Sequence, residues 1–378
     1  MGATVKKRAD GARAPHISIP MALCLLSVLA GGAHAQFSLT NDQGETVLSV
    51  SPLIQGRFEA TRGPDETTTE FNFRRAWLDT RGQLFNPDLT FRLQPDFSSG
   101  ELSMRDAWVE YAVTEAWSVR MGQYTVPFAL ARDIGGPNRL LTELSHAANQ
   151  FQVPQGRDTG VTLLGSFAEG RWSVDMGVFD GRGRLDRRDN RPATSGHLFS
   201  ARAAHALVGT IPSHNATLGR AVPSTLAVGG GLQAANRNHL RDWSLGLADD
   251  IAERRADWLA LTIDVMFKQG RTAISGALFE RQVSPDSLSG YRDRGGEVEL
   301  AHALPMEGLE AAVRHALMRR DIGNELADAP GARGWEREWG AGVNWYHDGQ
   351  RWKTQAFWIA RDDAEADWEF HLQHQVRF

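Results

Sequence analysis

Beyond residue 35 the only lysines are Lys268 and Lys353, so arginine carries nearly all of the positive charge. Arginine's planar fork suits fixed, multidentate contacts with carboxylates and phosphates, where lysine offers a point charge. One group of such residues falls between positions 125 and 158: Arg132, Asp133, Arg139, Glu143, Arg157 and Asp158. A second group recurs on one parity of alternating segments: Arg75, Arg81, Arg92, Asp96, Asp106, Glu110 and Arg120. Asp79, Asp264, Glu297 and Glu299 share that parity. Fixed charges of both signs on one face can handle small ionic solutes. The competing use of any one of them is a cross-strand ion pair.

Other chemistry finds less support. Ser145-His146 offers a nucleophile and a base, but nothing fixes an orienting acid within reach. No His-Glu-x-x-His stretch appears, so neither a catalytic metal nor a cofactor is expected. Asp96 and Asp106 could hold a calcium ion, although paired carboxylates on a sheet wall are more often salt-bridged. Segment 181–196 carries Arg182, Arg184, Arg187, Arg188 and Arg191. It could gather anions, bind lipopolysaccharide phosphates or simply be solvated.

The elements that position these residues are strands. Leu89, Phe91, Leu93 and Phe97 oppose Arg92, Gln94 and Asp96. Leu259, Leu261, Ile263, Val265 and Phe267 oppose Trp258, Thr262 and Asp264. Such alternation places strands near 47–60, 71–83, 89–97, 104–113, 117–124, 158–167, 171–180 and 197–208. The second half places them near 224–234, 257–267, 271–282, 296–304, 308–319, 336–346, 351–361 and 367–378. Tight turns such as "FNPD", "TEA", "AEG", "KQG", "PMEG" and "HDGQ" alternate with the longer links 125–157, 181–196, 235–256, 283–295 and 320–335. The link 209–223 breaks the rule, being long in the short series.

Sixteen strands with short links at one end and long links at the other predict an all-β, antiparallel transmembrane β-barrel. Lipid offers no hydrogen-bond partners, so the sheet must close and the last strand must pair with the first. Phe370, Leu372, Val376 and Phe378 then form the lipid-facing series of that last strand, broken by His374. The twelve tryptophans, Trp335, Trp339, Trp345, Trp352, Trp358 and Trp368 among them, fit interfacial girdles better than sugar-stacking platforms. A passive anchor would need a plugged lumen, and no spare domain is present to plug it.

Export agrees with this reading. Lys6, Lys7, Arg8 and Arg13 precede the short apolar run "MALCLLSVLAGG", and "AHA" ends at Ala35. Residues 1–35 are therefore read as a signal peptide cleaved after Ala35. Residues 36–46 follow as an N-terminal periplasmic segment, and 47–378 as the barrel. Cleavage removes Cys24, the only cysteine, and takes the formal charge from −5 to −8, which disfavours a nucleic-acid partner.

Several segments resemble the phosphate-selective porin O and P family: "FNFRRAWLDTRGQL", "DAWVEY", "VRMGQYTVPFAL", "GRDTGVTLLG", "MGVFDG" and the closing Gln373-x-Gln375-x-x-Phe378. The most specific are Gly122-Gln123-Tyr124 with Pro127-Phe128, then Gly156-Arg157-Asp158. The resemblance implies a sixteen-stranded outer-membrane barrel, a homotrimer set in lipid and lipopolysaccharide, passing small anions or other small solutes. It also implies that the third long loop, 125–157, folds inward and narrows the pore; "PFALA" and "LLTELSH" are too apolar for a freely solvated loop. The sequence departs from the family in having few lysines, and its parity count sets four inward arginines (75, 81, 92, 120) against seven inward acids. Weak anion preference, or none, is the expectation.

Overall fold

The computed structural model describes residues 37–41, 46–151, 153, 156–184, 196–239, 255–286, 289–321, 334–362 and 367–378. Residues 1–35, expected to be a signal peptide, the expected cleavage point after Ala35, and Arg187, Arg188 and Arg191 lie outside the described residues. The strands are β1 (Phe37–Thr40), β2 (Thr46–Arg62), β3 (Thr67–Leu84), β4 (Asn86–Asp96), β5 (Ser103–Ala112), β6 (Trp117–Thr125), β7 (Arg157–Phe167), β8 (Trp172–Phe179) and β9 (Leu198–Val208). They continue as β10 (Val222–His239), β11 (Arg255–Gly270), β12 (Thr272–Pro285), β13 (Tyr291–Ala303), β14 (Leu309–Asp321), β15 (Trp335–Asp348), β16 (Trp352–Arg361) and β17 (Trp368–Arg377). Two short helices, α1 (Leu130–Asp133) and α2 (His146–Gln150), lie between β6 and β7.

Strands β2 to β17 pair antiparallel in sequence order, and β17 closes on β2 with Trp368 opposite Arg62 and Arg377 opposite Leu53. The result is a closed sixteen-stranded barrel, with each strand within a few residues of its sequence-based position. The Phe378 amide donates to Pro52 O at 3.0 Å, so the chain end is tied into the seam.

The seventeenth strand was not expected. β2 continues past the last partner that β17 supplies, and β1 covers that bare edge, with Phe37 opposite Val50 and Leu39 opposite Leu48. An uncovered edge would leave unpaired backbone groups. Part of the expected leading segment is thus built into the sheet.

Burial is inverted relative to a water-soluble sheet. On β11, Ile263 is 70% exposed while its neighbours Thr262 and Asp264 are each 4% exposed. Gln55, Gln373 and Gln375 are buried, whereas Phe71, Phe73, Leu278 and Trp339 are exposed. An apolar outside and a polar inside suit a sheet surrounded by hydrocarbon. Trp335, Trp339, Trp345 and Trp358 are all among the exposed aromatics. No described helix is long and apolar enough to cross a membrane.

Candidate functional site

The segment joining β6 to β7 runs inside the barrel. Its apolar side chains Phe128, Leu140, Leu141 and Phe151 are essentially fully buried. The wall makes room for them with glycines. A Cβ on Gly231 of β10 would lie 2.1 Å from Phe128 O, one on Gly295 of β13 would meet the Phe151 ring at 2.8 Å, and one on Gly340 of β15 would meet Leu141 at 2.9 Å. Glycine has no side chain to bar such close approach. The apolar patches that made a solvated loop improbable are the ones seated in these notches.

Polar anchors hold the same face of the loop against β9–β17. The Leu130 amide donates to Asp264, which also accepts from Arg202 at 2.6 Å; Arg202 in turn meets Asp133 and donates to Phe128 O. Arg281 donates to Gln150 O, Arg314 to Glu143 O, Lys353 to Arg139 O, and Asn344 and Gln355 both to Leu140 O. Ser145 caps α2 and donates to Glu297, while Glu299 and Glu338 both meet Arg314. Ser145 is therefore engaged as a helix cap. The long link 209–221 also folds inward: Asn215 accepts from the Leu140 amide, and Thr217 donates to Glu310. Two inserts, one from each end of the barrel, meet on this half of the wall.

The opposite half, β2 to β7, carries the first arginine groups. Arg92 pairs bidentately with Asp79 and meets Asp106 at 2.8 Å; Arg81 also pairs with Asp79. Arg120 pairs with Glu110 at 2.6 Å, and Arg157 with Asp106 at 2.9 Å. Asp96 accepts from Trp77 and lies 3.5 Å from Arg105. Asp158 accepts from the amides of Thr159 and Gly181, fixing the start of the next loop. Arg184 donates to Ser103.

Two arginines that alternation sends outward are turned inward by β-bulges. The register of β3 slips between Phe73 and Arg75, and Arg74 joins Arg75 on the lumen face. The register of β5 slips between Met104 and Asp106, and Arg105 stacks over Trp77 at 4.0 Å. A bulge places two residues against one and lets neighbours share a face. Arg57, Arg74 and Arg75 then converge on the loop carboxylate Glu143, with Arg57 at 2.6 Å and Arg75 at 3.9 Å. "Arg-Arg" and "Arg-Asp" inside strands, each on the wrong parity for one member, were the only available sequence signal.

The charge count changes accordingly. Asp264, Glu297 and Glu299, counted as inward acids, are engaged where the loop docks. At the loop's other edge stand Arg57, Arg74, Arg75, Arg105, Arg132, Arg139 and Arg157, seven guanidiniums, against the four carboxylates Glu59, Asp96, Asp106 and Glu143. Burial and then Arg157 push Arg132 down to about 9; burial and then Arg132 push Arg139 down to about 9. Both remain cationic at neutral pH. Arg105 Nε and Arg139 Nε are buried without an acceptor.

Burial opposes ionisation of Glu143, but Arg75 and Arg74 outweigh it and hold the carboxyl well below its usual range. Because this carboxyl's pKa is lower folded than unfolded, the stability it contributes is complete above the ordinary carboxylate range. It is lost progressively as pH falls from that range to the depressed value. Acidification to about pH 4.5, near the unperturbed glutamate pKa, should therefore leave the loop docked. Glu143→Gln should move the zero-current potential toward anions at neutral pH, measured under a salt gradient. An unchanged potential would place Glu143 outside the ion path.

Residues 54–214 match the sequence model of the family "Phosphate-selective porin O and P". No curated protein matches the chain by sequence. Among solved structures, the anion-selective porin from Comamonas acidovorans is similar at 12% identity and TM-score 0.61, covering 88% of this chain and 99% of that one. OmpF of Salmonella typhi, in complex with daunomycin, is similar at 15% identity and TM-score 0.61, covering 90% and 100%. In-vitro folded OmpT of Vibrio cholerae, in its trimer form, gives 12% identity and TM-score 0.57, covering 88% and 100%.

Proposed function

We propose, for a closed sixteen-stranded barrel whose residues 54–214 carry the porin O and P family signature, that this chain forms an outer-membrane channel for passive diffusion with a modest preference for anions. The observation that carries the preference is the division of charge around the inner loop. Carboxylates of β11 and β13 are engaged on the docked side, and guanidiniums outnumber carboxylates on the open side. A constriction controls passage, so its local charge outweighs the net charge of the chain. Low-dielectric walls strengthen that field.

The short-turn end is assigned to the periplasm and the long-loop end to the exterior, as in barrels of this class. Residues 1–35 serve as the cleaved signal and 36–46 lead into the barrel domain 47–378. Arg132, Arg139 and Glu143 form the constriction with Arg157, while Arg75, Arg81, Arg92, Asp106, Glu110 and Arg120 line the wall. Asp133 and Asp158 act as loop anchors. A homotrimer is supported by the trimeric neighbour, and subunit contact through the β8–β9 face is supported by outward His205, stacked on Trp172 at 3.8 Å. Phosphate is one anion among several that such a cluster would accept.

The test is the zero-current potential of the purified protein in planar bilayers under a salt gradient. A modest anion-directed potential is expected. Strong cation preference would defeat the anion reading, and absence of conductance would defeat the channel.

A further inference from the structure

We infer that the barrel seam holds a binding site for a first-row divalent cation of the zinc type, built from Glu59 of β2 and from Glu369 and His371 of β17. His371 and Glu59 are register partners across the seam, and Glu369 lies two residues along β17 on the same inward face. Among the described residues these three form the one group whose ligand atoms all approach within 4.8 Å of one another.

The spacing favours a metal over a simple ion pair. His371 Nε2 lies 3.5 Å from Glu59 and 3.4 Å from Glu369. A charge-assisted hydrogen bond would close to about 2.7–2.9 Å. Tetrahedral zinc with bonds of about 2.0–2.1 Å instead separates neighbouring ligand atoms by roughly 3.4 Å. His371 is 1% exposed, and its Nε2 is buried without a hydrogen-bond partner. Its other nitrogen, Nδ1, lies 2.9 Å from Thr142 Oγ1. With the proton on Nδ1 donated to that hydroxyl, the Nε2 lone pair points between the two carboxylates, the usual arrangement of a metal-binding histidine.

The neighbouring cations leave room for this. Arg361 binds Oε1 of Glu369, and Oε2 is the oxygen that faces His371. Arg57 reaches the Glu59 oxygen that faces His371, Oε2, only at 3.4 Å and makes its shorter bond, 2.6 Å, to Glu143. Three protein ligands leave a fourth position for an exchangeable ligand. An imidazole–carboxylate set suits zinc and its neighbours better than magnesium or calcium, which take oxygen ligands. Bound there, the ion would link the first and last barrel strands and, through Thr142, brace the inner loop. This inference does not depend on the channel's ion preference.

The test uses the full barrel in detergent, stripped with chelator and titrated with zinc chloride at neutral pH by calorimetry, with retained metal counted after dialysis. One zinc per chain is expected, with loss of that site in His371→Ala and at least tenfold weaker binding in Glu369→Gln. His374→Ala removes a histidine of the outer-face pair whose rings lie 6.1 Å apart, and should leave the stoichiometry unchanged. Zinc should also raise the temperature at which the wild-type barrel unfolds in dodecyl sulfate. Should His371→Ala fail to fold, Glu369→Gln with Glu59→Gln carries the test. Absence of stoichiometric zinc in the wild type would overturn the site. So would full retention in the His371 or paired glutamate variants, or equal affinity for calcium.

Discussion

Arg139→Glu is expected to abolish the proposed anion preference and turn the channel toward cations. Arg139 sits where the charges of Arg132, Glu143, Arg74 and Arg157 meet, and its buried Nε has no acceptor of its own. Its contact with the wall runs through its carbonyl, which accepts from Lys353 and survives the substitution. Placing a negative charge there therefore changes the field while leaving the loop's anchors in place. At an effective dielectric of about 20, one unit charge acts on an ion about 10 Å away with roughly 1.7 kcal/mol. Replacing +1 by −1 doubles that effect before screening by salt. A tenfold or larger fall in the anion-to-cation permeability ratio is expected from zero-current potentials at low ionic strength. A ratio unchanged within twofold would mean that ions pass the loop elsewhere. The same recording on Arg157→Ala should show a smaller shift, because Asp106 already engages Arg157 at 2.9 Å.

Gly231→Val is expected to open the proposed channel. Even a Cβ at this position would lie 2.1 Å from Phe128 O, far inside contact distance, and the obstacle is backbone. The first turn of the loop must leave its notch, taking with it the hydrogen bonds that Ser200 gives Pro127 O and Arg202 gives Phe128 O. Overpacking of this kind costs about 1–3 kcal/mol. The pairing of β10 with β9 and β11 is made by main-chain groups and remains. Single-channel conductance should rise and become noisy while the protein still inserts as a barrel. Gly230→Val is the control, since its Cβ meets only Thr262 O at 3.2 Å and it lies on the other parity of the strand. Equal conductance in the Gly231 and Gly230 variants would show that the loop does not limit flow.

The sequence alone determined the barrel. Alternation is a local property, because each strand must present apolar groups to one side and polar groups to the other wherever its partners lie. "LTFRLQPDF" and "DWLALTIDVMF" therefore disclosed their faces without knowledge of any neighbour. The order of short and long links gave the antiparallel connectivity. Lipid's lack of hydrogen-bond partners required β17 to close on β2. The apolar runs around Phe128 and Leu140 likewise showed that the longest loop could not remain in water.

Only the tertiary structure decided what the inward charges do. Asp264, Glu297 and Glu299 have the parity of lumen-facing acids, yet they meet Arg202, Ser145 and Arg314 on the side where the loop docks. Arg74 and Arg105 have the parity of lipid-facing residues, yet bulges bring them inside. Link 209–223 looked like an overlong turn and proved to be a second insert touching Leu140. His371 and Glu59 are far apart in the chain and become register partners through closure of the sheet. The physical reason is common to all four. Parity follows from the period of a single strand, whereas the partner of a charge depends on register slips, insert docking and closure. Those are set by contacts between segments remote in sequence, where Coulomb energy depends on separation in space.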